Sequence, residues 1–429
     1  MRQQICLQGQ NIKNQAQLLN AVKRCCPGLN VRYKTKEKLL AEGDSYKYRS
    51  AVLKRKLPLP FTLKVNYGIF MVNDKLYPVA DVVFTFDDEE ETAALEVKRI
   101  LGRLLAGKLK YVLEEPDMKS RAVQLRGSFR VKEHPYYDGA KAETFVLCHL
   151  PWQLYSINKA WYQLLCGSGD KALVRQLRVK LRRIRACYGI AKKLLPKPER
   201  DQWQERLKAR TDILAATREY DVALMTCMKM RLNDNGTARS SSNHLEQVLR
   251  DIRHKAAASI IEGEKINSVT KEMAELLLFL YTAPLQERYA AMTLQEYLGA
   301  RFHKWYEDIL QLPEQYPDFD DMEQLHKIRI RIRRFRYALQ YVPELAPTMA
   351  LWRSLKNIQD NLGSLHDDYV NGQLIRDVLA QTDDQEVRLE GAVYSGWEQA
   401  NAVSAQAILP LLWSNLVDLL TEWHEGYSL

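Results

Sequence analysis

Leu325-His326-Lys327-Ile328-Arg329-Ile330-Arg331-Ile332-Arg333-Arg334-Phe335-Arg336-Tyr337-Ala338 is the stretch on which the fold turns, because the chain writes it twice. Residues 174–187 read Val-Arg-Gln-Leu-Arg-Val-Lys-Leu-Arg-Arg-Ile-Arg-Ala-Cys. At a constant offset of 151 residues, Arg175 meets His326, Arg178 meets Arg329 and Lys180 meets Arg331. Arg182 then meets Arg333, Arg183 meets Arg334 and Arg185 meets Arg336. Self-similarity at a fixed offset marks a duplicated structural unit.

Both copies have the period of a helix. With Arg178 at the origin and about 100° per residue, Arg175, Arg182 and Arg185 fall at about 60°, 40° and −20°, one stripe over three turns. Leu173, Leu177, Leu181 and Ile184 make the apolar face behind it. In the second copy His326, Arg329, Arg333 and Arg336 fill the stripe, backed by Ile328, Ile332 and Phe335. Like charges three and four apart repel by a few tenths of a kcal/mol per pair. Neither segment contains an acidic residue to offset this. A bound anion is the natural compensation, and the planar fork of arginine suits phosphate. The competing reading pairs these arginines with Asp212, Glu219, Asp360, Asp367 and Asp368 on neighbouring helices; duplication of the stripe favours the anion.

The echo continues beyond the basic helices. Leu207–Ala223 (LKARTDILAATREYDVA) parallels Leu355–Asn371 (LKNIQDNLGSLHDDYVN), so Lys208 faces Lys356, Asp212 faces Asp360, Arg218 faces His366 and Glu219 faces Asp367. Two pseudo-symmetric helical bundles are the expected architecture. Helices are expected at 144–165, 171–194, 199–231, 244–262, 269–281, 285–311, 321–342, 348–381 and 385–424, with Ser168 or Asp170 capping the first basic helix. Leu232–Asn243 reads as a linker, 312–319 as a loop.

The first 140 residues differ. Phe61–Val65 and Val79–Phe86 carry β-branched and aromatic residues, punctuated by Pro58, Pro60, Gly68 and Pro78. With helices near 15–25 and 90–107, they predict a smaller α+β domain with an antiparallel sheet, joined through 133–143. The expected domains are 1–135, 144–231 and 244–429.

The totals bound the partner class. The chain has 429 residues, a net charge of +10 and 46% hydrophobic residues, enough for a sizeable core and biased toward anions. Cys6, Cys25, Cys26, Cys148, Cys166, Cys187 and Cys227 form no C-x-x-C, which argues against zinc and fits reduced thiols in a cytoplasm. No uninterrupted apolar run reaches membrane-spanning length and the N-terminus lacks an apolar signal core, so no membrane partner is expected. No P-loop, nucleophile-elbow or H-E-x-x-H motif occurs. His134, His149 and His303 stand singly and read as linker, packing or surface residues.

His326-Lys-Ile-Arg329-Ile-Arg-Ile-Arg333-Arg334-Phe-Arg336 resembles the H-x-x-R-V-x-x-R-R-L-R helix of the CHAD domain. Arg175-Gln-Leu-Arg178-Val-Lys-Leu-Arg182-Arg183-Ile-Arg185 matches it with Arg in place of the leading His. Leu362-Gly363-Ser-Leu-His366-Asp367 is similar to the family's later L-G-x-x-R-D segment, and Leu214-Ala215-Ala-Thr-Arg218-Glu219 more loosely so. The resemblance covers about 144–429. It implies two pseudo-symmetric bundles and inorganic polyphosphate bound along a basic groove or pore; with no catalytic or metal motif in the chain, the expected binding is non-catalytic and needs no cofactor or metal. The implied contacts are Arg175, Arg178, Arg182, Arg183, Arg185, Lys208, His326, Arg329, Arg333, Arg334, Arg336 and Lys356. Cytoplasmic polyphosphate granules would then be accessible to the protein.

The N-terminal part resembles, by spacing, the CYTH or triphosphate-tunnel family. Gln4-Ile-Cys6-Leu-Gln8 stands where that family has Glu-x-Glu-x-Lys, and Phe61-Thr-Leu-Lys64 resembles its T-L-K strand. Val79–Asp88 keeps only Asp81 of an acidic strand, and Met118-Lys119-Ser-Arg121 barely keeps S-K-x-x-R. Gln and Cys supply no hard ligand for a divalent metal, so residues 1–135 read as a degenerate, inactive version. Lys47, Arg49, Lys64 and Lys119 are the candidates for a weak anion site there, with scattered surface lysines as the plainer description. The alternatives carried forward are an inorganic triphosphatase in this domain and nucleic-acid binding by the basic helices. The latter is disfavoured because aromatic residues do not interleave with the arginines. Oligomeric state is left open.

Overall fold

The computed structural model describes residues 2–40, 44–54, 60–87, 91–126, 140–167, 170–233, 244–312, 321–339 and 348–427. The linkers expected at 133–143 and 232–243, the loop at 312–319, and Ser168 lie wholly or mostly outside them. The chain forms two compact units, each assembled from three segments. One comprises Met1–Gly167, Ala191–Trp203 and Ile261–Ala291; the other Ser168–Ile190, Gln204–Ile260 and Met292–Leu429.

The first unit holds the expected antiparallel sheet. Its six strands are β1 (Arg2–Gly9), β2 (Asn30–Leu39), β3 (Ser45–Lys54), β4 (Phe61–Val72), β5 (Lys75–Asp87) and β6 (Tyr111–Glu114), in the order β2-β3-β4-β5-β1-β6. Alternation sends Ile5, Leu7, Leu63, Val65, Val82 and Phe84 to one buried face, packed against α1 (Gln15–Cys25) and α2 (Glu91–Leu105). Asn14 caps α1 by accepting from Gln17 N at 3.0 Å. Asn73 and Asp74 join β4 to β5, both at positive φ (49° and 57°), the backbone a two-residue hairpin of matching twist needs.

The free edge of β6 is covered by side chains. Asn158 on α4 (Leu150–Cys166) accepts from Leu113 N at 2.6 Å, and Asn267 on α9 (Ile266–Thr282) accepts from Tyr111 N at 3.0 Å. Thr270 donates to Tyr111 O at 2.8 Å. These bonds satisfy main-chain groups that would otherwise template another strand.

The opposite sheet face carries Gln4, Cys6, Lys64, Asp81 and Glu114. There α3 (Met118–Arg126) brings Arg121 onto buried Asp81, Nη2 to Oδ2 at 3.0 Å, with Cys6 Sγ at 3.6 Å. Lys159 closes on Glu114 at 2.6 Å. Lys47 and Arg49 point to the other face from Lys64, since they sit one step out of phase in the β3–β4 register. Lys47 is paired with Glu37 at 3.0 Å and Arg49 covers the Tyr33 ring at 3.9 Å. The four basic residues considered for an anion site therefore do not converge.

The second unit is helical, as expected. The first basic helix is α5 (Lys171–Ile190), and Asp170 Oδ1 accepts from Ala172 N at 2.7 Å at its start. The stretch 199–231 breaks at Ile213–Leu214 into α6 (Lys197–Asp212) and α7 (Ala215–Asn233). The stretch 285–311 divides into α10 (Glu287–Ala290) and α11 (Leu294–Leu310), because Thr293 and Glu296 form a capping box that begins a new helix. The second basic helix is α12 (Met322–Leu339), followed by α13 (Met349–Ala380) and α14 (Gln385–Tyr427); α8 (His244–Gly263) precedes α9. Val174, Leu177, Leu181 and Ile184 of α5 and Ile328, Ile332 and Phe335 of α12 are buried. Leu173, expected in the apolar face, is only half-buried while Val174 takes its place.

Among the described residues one helix, spanning Gln385–Gly426, is long and apolar enough to cross a membrane, with a mean hydropathy of 1.4 in its most apolar stretch. Ser404, Gln406 and Asn415 interrupt its apolar residues, so no continuous apolar run marks it in the sequence. Its Tyr394, Leu409, Trp413, Leu416 and Leu420 are buried, and it packs along α13.

Candidate functional site

The two basic helices pack against each other within the second unit. Arg182 of α5 lies in the electrostatic field of both Arg329 and Arg333 of α12, and Arg185 in that of Arg333 and Arg334. The duplicated stripes therefore converge into one cationic cleft. Gly363 of α13 faces Arg329, and a Cβ there would meet Arg329 Nε at 4.0 Å, an ordinary contact.

The repeat extends to the partners of each arginine. Arg178 has Glu219 nearby, and its counterpart Arg329 has Asp367. Arg185 has Asp212, and its counterpart Arg336 has Asp360. Arg175 lies beside Arg218, while His326 lies beside His366 with ring centroids 4.8 Å apart. The echo seen in the sequence at 207–223 and 355–371 is thus the second wall of the same site.

Neighbouring carboxylates moderate the field without closing it. Among the described residues Arg182, Arg185, Arg329 and Arg333 form no ion pair. Arg178, Arg182, Arg183 and Arg185 each bury an Nε that no protein atom accepts, and His326 buries its Nδ1 in the same way. Arg178 instead donates through Nη1 to Thr211 O at 3.1 Å. Buried donors without acceptors are costly.

Electrostatics records the crowding. Burial, then Arg182 and Arg218, lower Arg178 to about 10; burial, then Arg329 and Arg182, lower Arg333 to about 9. Both remain cations at neutral pH. His366 is pushed down to about 3 by burial and then by Arg329, His326 and Arg333, and His326 is lowered by burial, Arg329 and Arg333. Burial raises Asp367 against the pull of Arg329, Arg218, Arg182 and Arg178. One carboxyl in the field of four guanidinium groups does not neutralise them.

A cavity of about 510 Å³ opens onto this surface, lined by Arg175, Arg178, Arg182, Arg183, Arg218, Arg336, Tyr337 and Lys356, with Gln359 and Asp360. Its walls thus gather residues from both basic helices and from α7 and α13. Arg336 donates to Gln359 Oε1 at 2.7 Å and lies 5.6 Å over the Trp352 ring. Of the expected contacts, Arg185, His326, Arg329 and Arg333 do not line this cavity, and Lys208 is exposed with the Glu205 carboxylate at 4.0 Å. Arg334 is exposed beside Arg185, Arg331, Arg301 and Asp308 and does not line the cavity. Arg218, His366 and Asp367 belong to the site although the basic-stripe pattern left them out. Their alignment between the two echo segments was the signal that could have placed them.

The CHAD domain family matches the chain over residues 155–376, just over half of its length. No curated protein matches it. Among solved structures the chain is similar in fold to the crystal structure of the CHAD domain from the plant Ricinus communis. The identity there is 21% and the TM-score 0.52, over 67% of this chain and 96% of that one. PptA from Streptomyces chartreusis aligns at 17% identity and a TM-score of 0.49, over 64% of this chain and 100% of the other.

Proposed function

Because this chain belongs to the CHAD domain family, we propose that its arginine cleft binds inorganic polyphosphate without turning it over. The observation that carries the reading is the convergence of Arg178 and Arg182 with Arg329 and Arg333, four cations with no ion pair among the last three and unaccepted Nε donors on the first two. A repeating anion with oxygens on every unit matches such a surface, and inorganic polyphosphate offers no other group to recognise. Granule association and a cytoplasmic setting follow from the same reading.

Nucleic acid is the second polyanion to weigh. The aromatic faces beside the cleft are already occupied, Tyr337 by Arg183 and Arg336 at 5.9 and 5.7 Å, and Trp352 by Arg336. A base stacking on Tyr337 or Trp352 would compete with those guanidinium groups. For a triphosphatase in the first unit, Asp81 and Glu114 are engaged by Arg121 and Lys159, which withdraws them from metal binding.

Calorimetric titration with long-chain polyphosphate is expected to show binding that weakens steeply with salt. Log affinity should fall against log salt with a slope of about −3 or steeper if four or more phosphates are contacted. Single-stranded RNA at equal phosphate concentration should displace little of it. Efficient displacement would remove the specificity claimed, and sustained phosphate release from tripolyphosphate with Mg²⁺ would overturn the non-catalytic reading.

Binding should also depend on pH, with a definite sign. His366 and His326 have values held below that of a free imidazole, so in the empty cleft they are neutral at pH 7. Polyphosphate screens the arginine field and returns those values upward, so the complex binds more protons than the free protein. Affinity is therefore expected to rise as pH falls from about 7 toward 5, by at most about tenfold per pH unit for each proton taken up. Titrations in buffers of different ionisation enthalpy should report that uptake, and His326→Gln/His366→Gln should flatten the profile. An affinity independent of pH in the wild type would contradict this account.

A further inference from the structure

The long helix α14 has two apolar faces. One lies in the core, where Tyr394, Leu409, Trp413, Leu416 and Leu420 are buried. On the opposite side Leu389, Val393, Val403 and Leu411 are each at least 59% exposed, with Gly396, Ala400 and Ala407 exposed between them. At about 100° per residue these seven positions fall within about 40° of one line. Up to Ala407 they alternate steps of four and three residues. That is the narrow seam of paired helices, not the wider stripe of a helix laid on a globular core.

The seam carries no charge. Between Gly391 and Val417 the sole charged residue is Glu398, which is buried on the core side. A solvated helix face normally carries charge, and a helix apolar all round is covered. Gly396 points the same way: a Cβ there would meet nothing within 4 Å, so no packing inside the chain calls for glycine. Glycine in mid-helix is destabilising relative to alanine, and it lets another backbone approach closely.

The flanks decide what covers the seam. Exposed Glu386, Asp418 and Glu422 outnumber Arg388, the one Lys or Arg of this helix. A lipid surface would call for a basic rim instead. A seam without charge offers no charged partner a complement, whereas its four-and-three spacing matches the same seam on another copy. From Leu389 to Leu411 it runs about 33 Å and, at a helix width of about 10 Å, gives a footprint of about 330 Å². A standard interface buries about 800 Å² per partner, so the association is reversible.

We propose that α14 is a self-association surface, along which two copies of the chain pair reversibly between Leu389 and Leu411. The pairing is independent of polyphosphate.

Sedimentation equilibrium of the full chain, without polyphosphate and over rising protein concentration, provides the test. Wild type should move from 49.8 kDa toward twice that mass. Val403→Glu should weaken self-association at least about 100-fold, because the pair would bury two unpartnered carboxylates. Gly396→Gln should weaken it at least about tenfold while the thermal midpoint holds or rises, since glutamine favours the helix more than glycine does. That second variant separates a lost contact from a lost fold. Wild-type association should also tighten with salt, which screens the acidic ends, whereas polyphosphate binding weakens. A wild type that stays at 49.8 kDa throughout overturns the proposal, as does a dimer that both variants leave unaltered. Binding of a monomeric wild type to phosphatidylcholine vesicles, lost in Val403→Glu, would give the face to lipid and overturn it equally.

Discussion

Arg182→Glu/Arg329→Glu is expected to weaken long-chain polyphosphate binding by at least about 100-fold, the equivalent of two charge-assisted phosphate contacts at about 1.5 kcal/mol each. Arg182 acts on Arg178, Arg218, Arg329 and Arg333, and so couples the two repeats more than any residue that acts within one of them. Arg329 also lies in the field of Asp367, as Arg178 lies in that of Glu219. Reversal at these two positions changes the local charge by four and places carboxylates where phosphoryl groups would lie.

The same substitution should leave the fold intact or raise its thermal midpoint. Like charges crowded into a half-buried cleft repel, and the new glutamates would find Arg178 and Arg333 as partners. Loss of binding together with preserved or increased stability separates a ligand site from a structural one. Affinity within about threefold of wild type, read by calorimetry, would exclude the convergent arginines as the contact surface.

The second large effect concerns stability. Arg121→Met in the first unit is expected to cost about 3–5 kcal/mol, because removal of one partner leaves an uncompensated buried charge. Arg121 and Asp81 are almost wholly inaccessible, at 3% and 1% side-chain exposure, and meet at 3.0 Å. Glu114 keeps Lys159 at 2.6 Å, so the stranded group is Asp81. Its carboxyl is already raised by burial against the pull of Arg121, and without the guanidinium it must take up a proton or force open the sheet.

Denaturant unfolding of the variant should thus recover part of the loss as pH falls, since the buried carboxyl becomes neutral. The double substitution Arg121→Met/Asp81→Asn should regain most of it. If Arg121→Met alone unfolds at the wild-type midpoint, the ion cluster is not what holds α3 to the sheet. Polyphosphate affinity is expected to be unchanged in either variant, because the arginine cleft belongs wholly to the second unit.

How far the sequence could be followed varied from element to element. The basic helices were legible because their charge and their apolar backing repeat at a fixed offset, and Asp170 was a readable cap. The break at Ile213–Leu214 was not, since no proline or glycine marks it; Thr211 Oγ1 donates to Leu207 O, and the chain turns there through local bonding. The sheet was anticipated from two strands, whereas its order and the cover on β6 depended on Asn158, Asn267 and Thr270, residues far away in the sequence. Arg121 showed nothing in the primary structure to distinguish it from a surface arginine, because an ion pair spanning 40 positions leaves no local pattern.

By itself the sequence determined the duplication, the helical class of residues beyond about 144, the antiparallel sheet before it and the cationic character of both basic stripes. All of these are properties of periodicity and composition, which act over a few turns or over the whole chain. Only the tertiary structure decided which arginines meet. It brought Arg182 to Arg329 and Arg333, set His366 against His326, placed Asp367 among four guanidinium groups and turned Arg334 outward. Those choices depend on how α5, α7, α12 and α13 pack, and packing is fixed by shape complementarity between faces distant in sequence, which one-dimensional spacing does not encode.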